Sequence, residues 1–439
     1  MTTAPSATAA GPLNLHGLDV EGVNKCVHCG LCLSYCPTYS ELGTEMDSPR
    51  GRIFLIKSLA EERVALTDSV VKHLSLCLDC RACETACPSG VPYGQLIEVA
   101  RAEIERQRPG SRLREGVRRF SLGFLLVNPT ALSFLTTLLR LYQRSGLQSL
   151  IRASRILRLF PRRLGDWEQL LPRLPDSREG PLPELIPAQG EKRARVGLLT
   201  GCVQQALFSS QNHATARLLS RNGAEIAVPS AQRCCGALHA HAGDRARAVE
   251  LARQTIDCFE AARVDAVIVN VSGCGAHMKG YAHLLQDDPK YAERAQKFSK
   301  QAQDIAEFLG REPLRGPLGR LEMRVTYHDP CHVVHGQKIR VEPRRLLCAI
   351  PGITLTELRE ADWCCGSAGI YNLTQPEMAE QLLGRKIANL QATGAEAVVT
   401  ANPGCILQIL HGLETRGVAM KVYHLVEILD LAYRRGEDA

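Results

Sequence analysis

The residues that could do chemistry in this chain are cysteines, eighteen among 439 residues, and their spacing says which chemistry. Cys26, Cys29, Cys32 and Cys36 are followed by Pro37, and Cys77, Cys80, Cys83 and Cys87 by Pro88. Both runs read C-x2-C-x2-C-x3-C-P, and every cysteine of the second lies 51 residues after its counterpart in the first. Three thiolates at x2 spacing wrap one corner of an iron–sulfur cubane, and the proline turn releases the fourth to reach the other cluster. The expectation is two [4Fe–4S] clusters, one held by Cys26, Cys29, Cys32 and Cys87, the other by Cys77, Cys80, Cys83 and Cys36. Structural zinc would use paired cysteine hooks and needs neither the third x2 step nor the proline. Such a module changes no bond by itself; it conducts electrons.

A second constellation lies in the C-terminal half. Cys202, Cys234-Cys235-Gly236 and Cys274 recur as Cys331, Cys364-Cys365-Gly366 and Cys405, shifted by 129, 130, 130 and 131 residues. Register held that closely marks a duplicated domain. Adjacent side chains point apart in extended backbone, so a metal or redox role explains each cysteine pair better than two coincident buried thiols. These eight cysteines are candidates for a third cluster. Four per repeat leave open one cubane in each, one shared between repeats, or none. Gly366, Ser367 and Gly369 favour the second repeat, because they allow closer backbone approach than Ala237 and Leu238. Cys258 and Cys348 have no repeat partner and are expected to be small buried apolar residues. His328, His332 and His335 bracket Cys331, and His239 and His241 follow the first pair. The expectation for them is polar surface or a hydrogen-bonded strand end, with proton relay or a nitrogen ligand as the alternative.

The elements that must position these residues follow from periodicity. Between the two N-terminal runs, Ile53, Ile56, Leu59 and Ala60 recur at helical spacing, and VVKHLSLC continues the pattern, so the two-cluster domain is helical rather than a hairpin. From residue 196, apolar and mostly β-branched runs alternate with helical stretches. VGLLTGC, DAVIVNVSGC, RVTYHDPC and EAVVTANPGC each end on a cysteine, as βα units of parallel sheets whose strand ends face a site. The fold class is therefore α+β and multidomain, in five parts. They are a flexible tail at 1–20, a helical two-[4Fe–4S] ferredoxin-type domain at 21–105, an Arg-rich helical arm and linker at 106–190, and α/β repeats at 191–318 and 319–439. A length of 439 residues suits several domains, and the composition excludes disorder, collagen and coiled coil as the main architecture.

The formal net charge of +7 is concentrated in the arm, where residues 101–163 hold fourteen Arg, no Lys and three acids. The rest of the chain is mildly acidic, which argues against a nucleic-acid-binding protein. The arm also carries the longest uncharged stretch, Phe120 to Leu139, but Asn128-Pro129 interrupts it and a true transmembrane helix is not expected. The leading expectation is a helical arm covering another surface of the same chain. The alternative is an interfacial or partner-docking helix pair, which Arg152, Arg155 and Arg158, with Ile151, Ile156, Leu157 and Leu159 between them, would equally fit. MTTAPSATAAG offers no export signal, so the cysteines are expected to stay reduced in the cytoplasm. No Gly-rich phosphate loop follows a strand, and GCGAHMKG has neither nucleotide-binding spacing, so no FAD or nucleotide is expected on this chain.

Taken together, CVHCG (Cys26 to Gly30), DSPRGRI (Asp47 to Ile53), CETACPSGVPY (Cys83 to Tyr93), SGCGA (Ser272 to Ala276), CCGSAG (Cys364 to Gly369) and TANPGC (Thr400 to Cys405) resemble the iron–sulfur subunit of bacterial glycolate oxidase, a glycolate dehydrogenase, over nearly the whole chain from Lys25. The two α/β repeats resemble the CCG domains shared with heterodisulfide reductase, lactate-utilisation proteins and the anaerobic glycerol-3-phosphate dehydrogenase. The resemblance implies a hetero-oligomer on the inner face of the cytoplasmic membrane. In it, separate FAD subunits oxidise glycolate to glyoxylate, and this chain passes the electrons to quinone or another acceptor, without oxidising substrate alone. The alternatives are the iron–sulfur subunit of another flavin dehydrogenase, for glycerol-3-phosphate or lactate, and a heterodisulfide-reductase-type catalyst. In heterodisulfide reductase the pattern ends in C-x-x-C, whereas His277 and Gln408 hold that last position here.

Overall fold

The computed structural model describes residues 18–108, 112–154, 168 and 179–437. Most of the expected tail lies outside the described residues, as do Arg155, Ile156, Leu157, Arg158 and Leu159.

The N-terminal region is helical, as its periodicity requires. Helix Pro49–Ala60 starts where the Ser48 hydroxyl accepts from the Gly51 amide at 2.9 Å and Pro49, lacking an amide hydrogen, fills the first position. Thr67 caps helix Asp68–Ser75 in the same way. These two pack with helix Tyr93–Gln107 around Ile53, Ile56, Leu59, Leu74, Leu96 and Ile97, with Cys77 and Cys83 at the edge of the core. Fully buried aliphatic side chains such as Ile56, Leu74, Leu96 and Ile97 each contribute about 1.5–3 kcal/mol.

The arm runs through helix Arg112–Arg118 and a wider π-turn segment, Arg119–Leu125, then turns at Asn128 into helix Pro129–Arg144 and helix Leu147–Ser154. Asn128 Oδ1 accepts from the amides of Thr130 and Ala131, both at 3.1 Å, and Pro129 opens the new helix. The two segments meet at 105°, and among the described residues no single helix is long and apolar enough to cross a membrane. One side of the arm lies on the first repeat. Leu122 is buried, its carbonyl accepts from His239 Nε2 at 3.0 Å, and helix Pro129–Arg144 packs on helix Cys202–Leu207. The other side leaves Phe120, Phe124, Phe134, Leu138, Leu141 and Leu150 exposed.

The C-terminal half contains two sheets. The first comprises β1 (Leu185–Ile186), β2 (Ala194–Leu199), β3 (Ala224–Ala227), β4 (Ala266–Val269) and β5 (Ala302–Asp304), in the order β1-β3-β2-β4-β5. The second comprises β6 (Met323–Tyr327), β7 (Ile353–Thr356), β8 (Ala397–Thr400) and β9 (Lys421–His424), in the order β7-β6-β8-β9. All pairs are parallel except β1 with β3, and the order β3-β2-β4-β5 repeats as β7-β6-β8-β9. Both sheets share one core, with Leu198, Ile226 and Ile268 from the first and Val325, Val399 and Leu429 from the second repeat. Helix Ser209–Arg221 of the first repeat packs on Leu425–Glu437 of the second, and Ile305–Leu309 on Val341–Cys348, an exchange that relates the repeats as a pseudo-symmetric pair. Arg217 binds the buried Asp430 carboxylate with two hydrogen bonds, of 2.9 and 2.8 Å, across that interface.

Two expectations need correction. The cysteines do not end the strands: the ladders stop at Leu199, Val269, Tyr327 and Thr400, and each thiol follows three to five residues later, at the start of the next helix. Gly201, in the left-handed region at φ +68°, makes that turn in the first repeat. Nor are Cys258 and Cys348 buried filling. Cys258 is half-buried and Cys348, the last residue of its helix, is exposed.

Candidate metal centres

Cys26, Cys29 and Cys32 come together with Cys87 around a cleft of about 430 Å³. Two positive backbone angles curl the loop around it, at His28 (φ 55°) and Gly30 (φ 81°), and the same conformation recurs 51 residues later at Asp79 (φ 52°) and Arg81 (φ 60°). Non-glycine residues rarely adopt it, so the duplicated thiol spacing comes with a duplicated and locally strained backbone. Arg50 Nη1 donates to the His28 carbonyl at 3.0 Å and holds the first loop against helix Pro49–Ala60. Gly51 is obligatory beside it, since a Cβ would come 2.0 Å from the Glu45 carbonyl oxygen. Cys29 is exposed, and Val27, Leu31 and Phe54 around it are exposed too.

Cys36, Cys77, Cys80 and Cys83 line a second cleft of about 290 Å³, and Cys83 lines both. All four are buried. Cys77 Sγ accepts from the Asp79 amide at 3.3 Å and the Tyr93 hydroxyl at 3.4 Å, and Cys36 Sγ lies 3.3 Å from Thr38 Oγ1. The buried Arg52 guanidinium reaches Cys36 Sγ (4.0 Å), Thr38 Oγ1 (3.0 Å), the His73 carbonyl (2.8 Å) and Asp47 (3.4 Å). Burial alone would lower its pKa, but Tyr93, Cys77, Cys36 and Asp47 outweigh burial and keep it charged. Burial pushes the thiols of Cys80 and Cys83 well up, so metal binding there must displace protons. Two sets of four sulfur donors, with donors and a cation directed at the second, fit the cubane chemistry. Sequence reasoning treated DSPRGRI only as a string. In space its Arg50 serves one thiol loop and its Arg52 the other.

In each C-terminal repeat the four cysteines also meet. Cys202 Sγ is 3.6 Å from Cys234 Sγ, and Cys235 contacts Cys274. In the second repeat Cys331, Cys364, Cys365 and Cys405 touch in sequence. The first thiol of each set is pushed up by its contact with the cysteine pair and then by burial. Gly236 (φ +88°) and Gly366 (φ +89°) turn the chain after each pair, and Cβ atoms there would meet the following helix at Ala248 and Ala379.

The second N-terminal set lies against the second repeat. Cys80, Leu76 and Leu78 share one apolar cluster with Cys364, Tyr371 and Cys331. The Tyr371 hydroxyl donates to the Leu76 carbonyl at 2.9 Å, and His332 Nε2 to the Asp79 carbonyl at 2.9 Å. The Asp79 carboxylate meets His241 of the first repeat at 3.0 Å. Burial would raise Asp79, but His241, Arg81 and Arg101 hold its carboxyl below the usual range. His335 donates through Nε2 to the Asp362 carbonyl and accepts through Nδ1 from Thr85. The surface half of the expectation for these histidines fails, while the hydrogen-bonded strand end describes His328, one residue past its strand and bonded to the Ala361 carbonyl. His239, His328 and His335 are buried, and burial lowers the pKa of His332 to about 4 and of His277 to about 3. His239, His332 and His335 are residues on which the regions of the chain meet, a long-range property that local sequence does not carry.

Three family models match the chain. They are a 4Fe-4S dicluster domain over residues 22–91, the linker region of the glycolate oxidase iron-sulfur subunit over 113–171, and a cysteine-rich domain twice, over 196–279 and 325–410. The probable glycolate oxidase iron-sulfur subunit of Bacillus subtilis (strain 168) is 43% identical over 418 residues, 94% of each chain. The glycolate oxidase iron-sulfur subunit of Escherichia coli (strain K12) is 35% identical over 430 residues, 96% of this chain and 97% of its own. Lactate utilization protein A of Bacillus subtilis (strain 168) is 30% identical but matches 54% of this chain. Full-length likeness, a dicluster domain, a linker of this one kind and two cysteine-rich repeats agree, and the chain belongs to the family of glycolate oxidase iron–sulfur subunits.

Proposed function

We infer that this chain is the electron-transfer subunit of a glycolate oxidase, taking electrons that a separate FAD subunit withdraws from glycolate and passing them towards quinone or another acceptor. The observation that carries the reading is the continuity of the thiol sets: Cys83 lines both N-terminal clefts, and Cys80 shares an apolar cluster with Cys331 and Cys364. We assign Cys26, Cys29, Cys32 and Cys87 to one [4Fe–4S] cluster and Cys36, Cys77, Cys80 and Cys83 to the other. When bound, the clusters supply one-electron carriers. The protein holds them, excludes water from the second and fixes its charge with Arg52. The exposed rim of Val27, Leu31 and Phe54 around Cys29 is the face for the flavin subunit, where a carrier is reachable from outside. The proposed division is a dicluster domain at 21–105, an arm at 106–190 and repeats at 191–318 and 319–439, the last two supported by one sheet each.

The exposed apolar side of the arm, flanked by Arg119, Arg140 and Arg144, fits peripheral attachment to the inner face of an anionic membrane and brings the acceptor end of the path to the lipid. The test is reconstitution. Glycolate should reduce a dye or quinone only when the flavin subunit and this chain are combined. Glycolate-dependent dye reduction by this chain in isolation would overturn the carrier reading.

A further inference from the structure

We propose that the second C-terminal repeat holds a third iron–sulfur centre in which Nε2 of His328 is a ligand beside the thiolates of Cys331, Cys364, Cys365 and Cys405. The inference deepens the electron-carrier reading and rests on it. A ring nitrogen of His328 and the sulfurs of Cys365 and Cys405 lie within 4.8 Å of one another, all buried. His328 Nδ1 donates to the Ala361 carbonyl at 3.1 Å, which leaves Nε2 as a bare lone pair. That Nε2 is buried and without a hydrogen-bond partner. An unsatisfied buried acceptor is destabilising, and a metal removes that cost. A histidine that binds metal through one nitrogen and anchors the other to a backbone carbonyl is the usual second-shell arrangement.

Lys386 is the second observation. It is 2% exposed, its ammonium donates to the carbonyls of Glu360 and Ala361, and it faces the thiols of Cys365 and Cys364, the Asp362 carboxylate and the thiol of Cys405. A buried ammonium with only carbonyl partners belongs beside a concentrated negative charge, and four thiolates on a metal supply one. The first repeat is the internal control. At the positions of His328 and Lys386 it has Leu199 and Thr255, so it keeps four cysteines without the cation, and its own buried, unpartnered imidazole nitrogen, His277 Nε2, lies beside Gly236 and forms no such close group with two thiols among the described residues. Gln408, three residues after Cys405, accepts from Asn372 at 3.0 Å and is engaged elsewhere.

A neutral imidazole where a fifth thiolate would add another negative charge, and an ammonium beside it, make such a centre less negative and easier to reduce. It is therefore the receiver for one electron at a time from the carrier at Cys36, Cys77, Cys80 and Cys83, with no bond made or broken.

The experiment uses the full chain, isolated without oxygen and reduced with dithionite, with and without isotopically labelled histidine. The wild type should contain iron beyond the about eight atoms that two cubanes hold. It should also show a third paramagnetic signal with strong coupling to histidine nitrogen. His328→Cys should keep the iron, lose that coupling and shift the midpoint of the third signal downward. His328→Ala should drop iron to about eight with the two N-terminal signals unchanged. Histidine coupling that survives in His328→Cys, excess metal that proves to be zinc, or wild-type iron of about eight with no third signal would each overturn the proposal. Reduction of the two N-terminal signals by glycolate through the flavin subunit reports the carrier reading separately.

Discussion

Replacing Arg52 by Met removes a buried positive charge 4.0 Å from Cys36 Sγ while keeping the aliphatic stem. At an effective dielectric of about 20, a unit charge at that distance is worth about 4 kcal/mol. An added electron spreads over the whole cluster, whose far side is about twice as distant, so about 2 kcal/mol acts on reduction. That corresponds to a midpoint about 90 mV lower for the second cluster, at about 59 mV for each tenfold change. Asp47, only 4% exposed as a side chain, would be left by the single change with His73 Nδ1 at 2.9 Å but no fixed positive charge, and breaking such a buried pair costs about 3–5 kcal/mol in stability. The variant to measure is therefore Asp47→Asn with Arg52→Met, which leaves no orphan charge, compared with Asp47→Asn alone. Redox titration followed by EPR should move one of the two N-terminal signals by most of the 90 mV and leave the other within about 20 mV, because Arg52 borders only the cleft of Cys36, Cys77 and Cys80. Equal shifts in both signals, or none in either, would refute the placement of Arg52 and the charge argument together.

Cys36→Ser should damage the cluster of Cys77, Cys80 and Cys83 rather than that of its sequence neighbours, and EPR showing selective loss of the other signal would reverse the assignment. Asp304, fully buried at the start of helix Ile305–Leu309, has its pKa raised by burial from 3.8 to about 7. Folding therefore favours its protonated form, and the penalty grows as pH rises from about 4 to about 7, up to about 4 kcal/mol. Asp304→Asn keeps the cap to the Ala306 amide, so its stability advantage should be small at pH 4 and full by pH 8 in thermal unfolding; a pH-independent difference would contradict the burial argument. Phe134→Ser with Leu141→Ser, both exposed on the arm, should weaken binding to phosphatidylglycerol vesicles without changing iron content, and high salt should weaken the wild type further; equal retention on the vesicles would remove the lipid role.

The chemistry was legible in the sequence because the thiolate ligands of a pair of cubanes fall at fixed cysteine spacings. The parallel sheets were legible because VGLL, AVIV and AVVT are runs with no polar face. The bend of the arm followed from Asn128-Pro129, a cap and a first-turn proline side by side. What stayed hidden depends on contacts between residues far apart in the chain. His332 looks like a polar neighbour of Cys331 until Asp79, 253 positions earlier, is placed against it. Arg52 looks like one of many arginines until helix Pro49–Ala60 turns it inward. The last residues of the strands were misjudged because a cysteine after a β-branched run extends the apolar pattern while the hydrogen-bond ladder has already ended.

The burial of Cys80 against the second repeat, beside Cys77 and Cys83 in the N-terminal core, bears on the order of events during synthesis. A preformed inorganic cluster is too bulky to reach these thiols once Tyr371, His332 and His241 have closed on the Leu76–Asp79 loop. Delivery to this set must precede the docking of the N-terminal domain, which leaves the ribosome before the surfaces that will cover it. The exposed Cys29 set remains open to delivery and repair in the finished protein. On the proposed assignment, oxidative damage should be reversed more readily at the set that includes the exposed Cys29 than at the buried set.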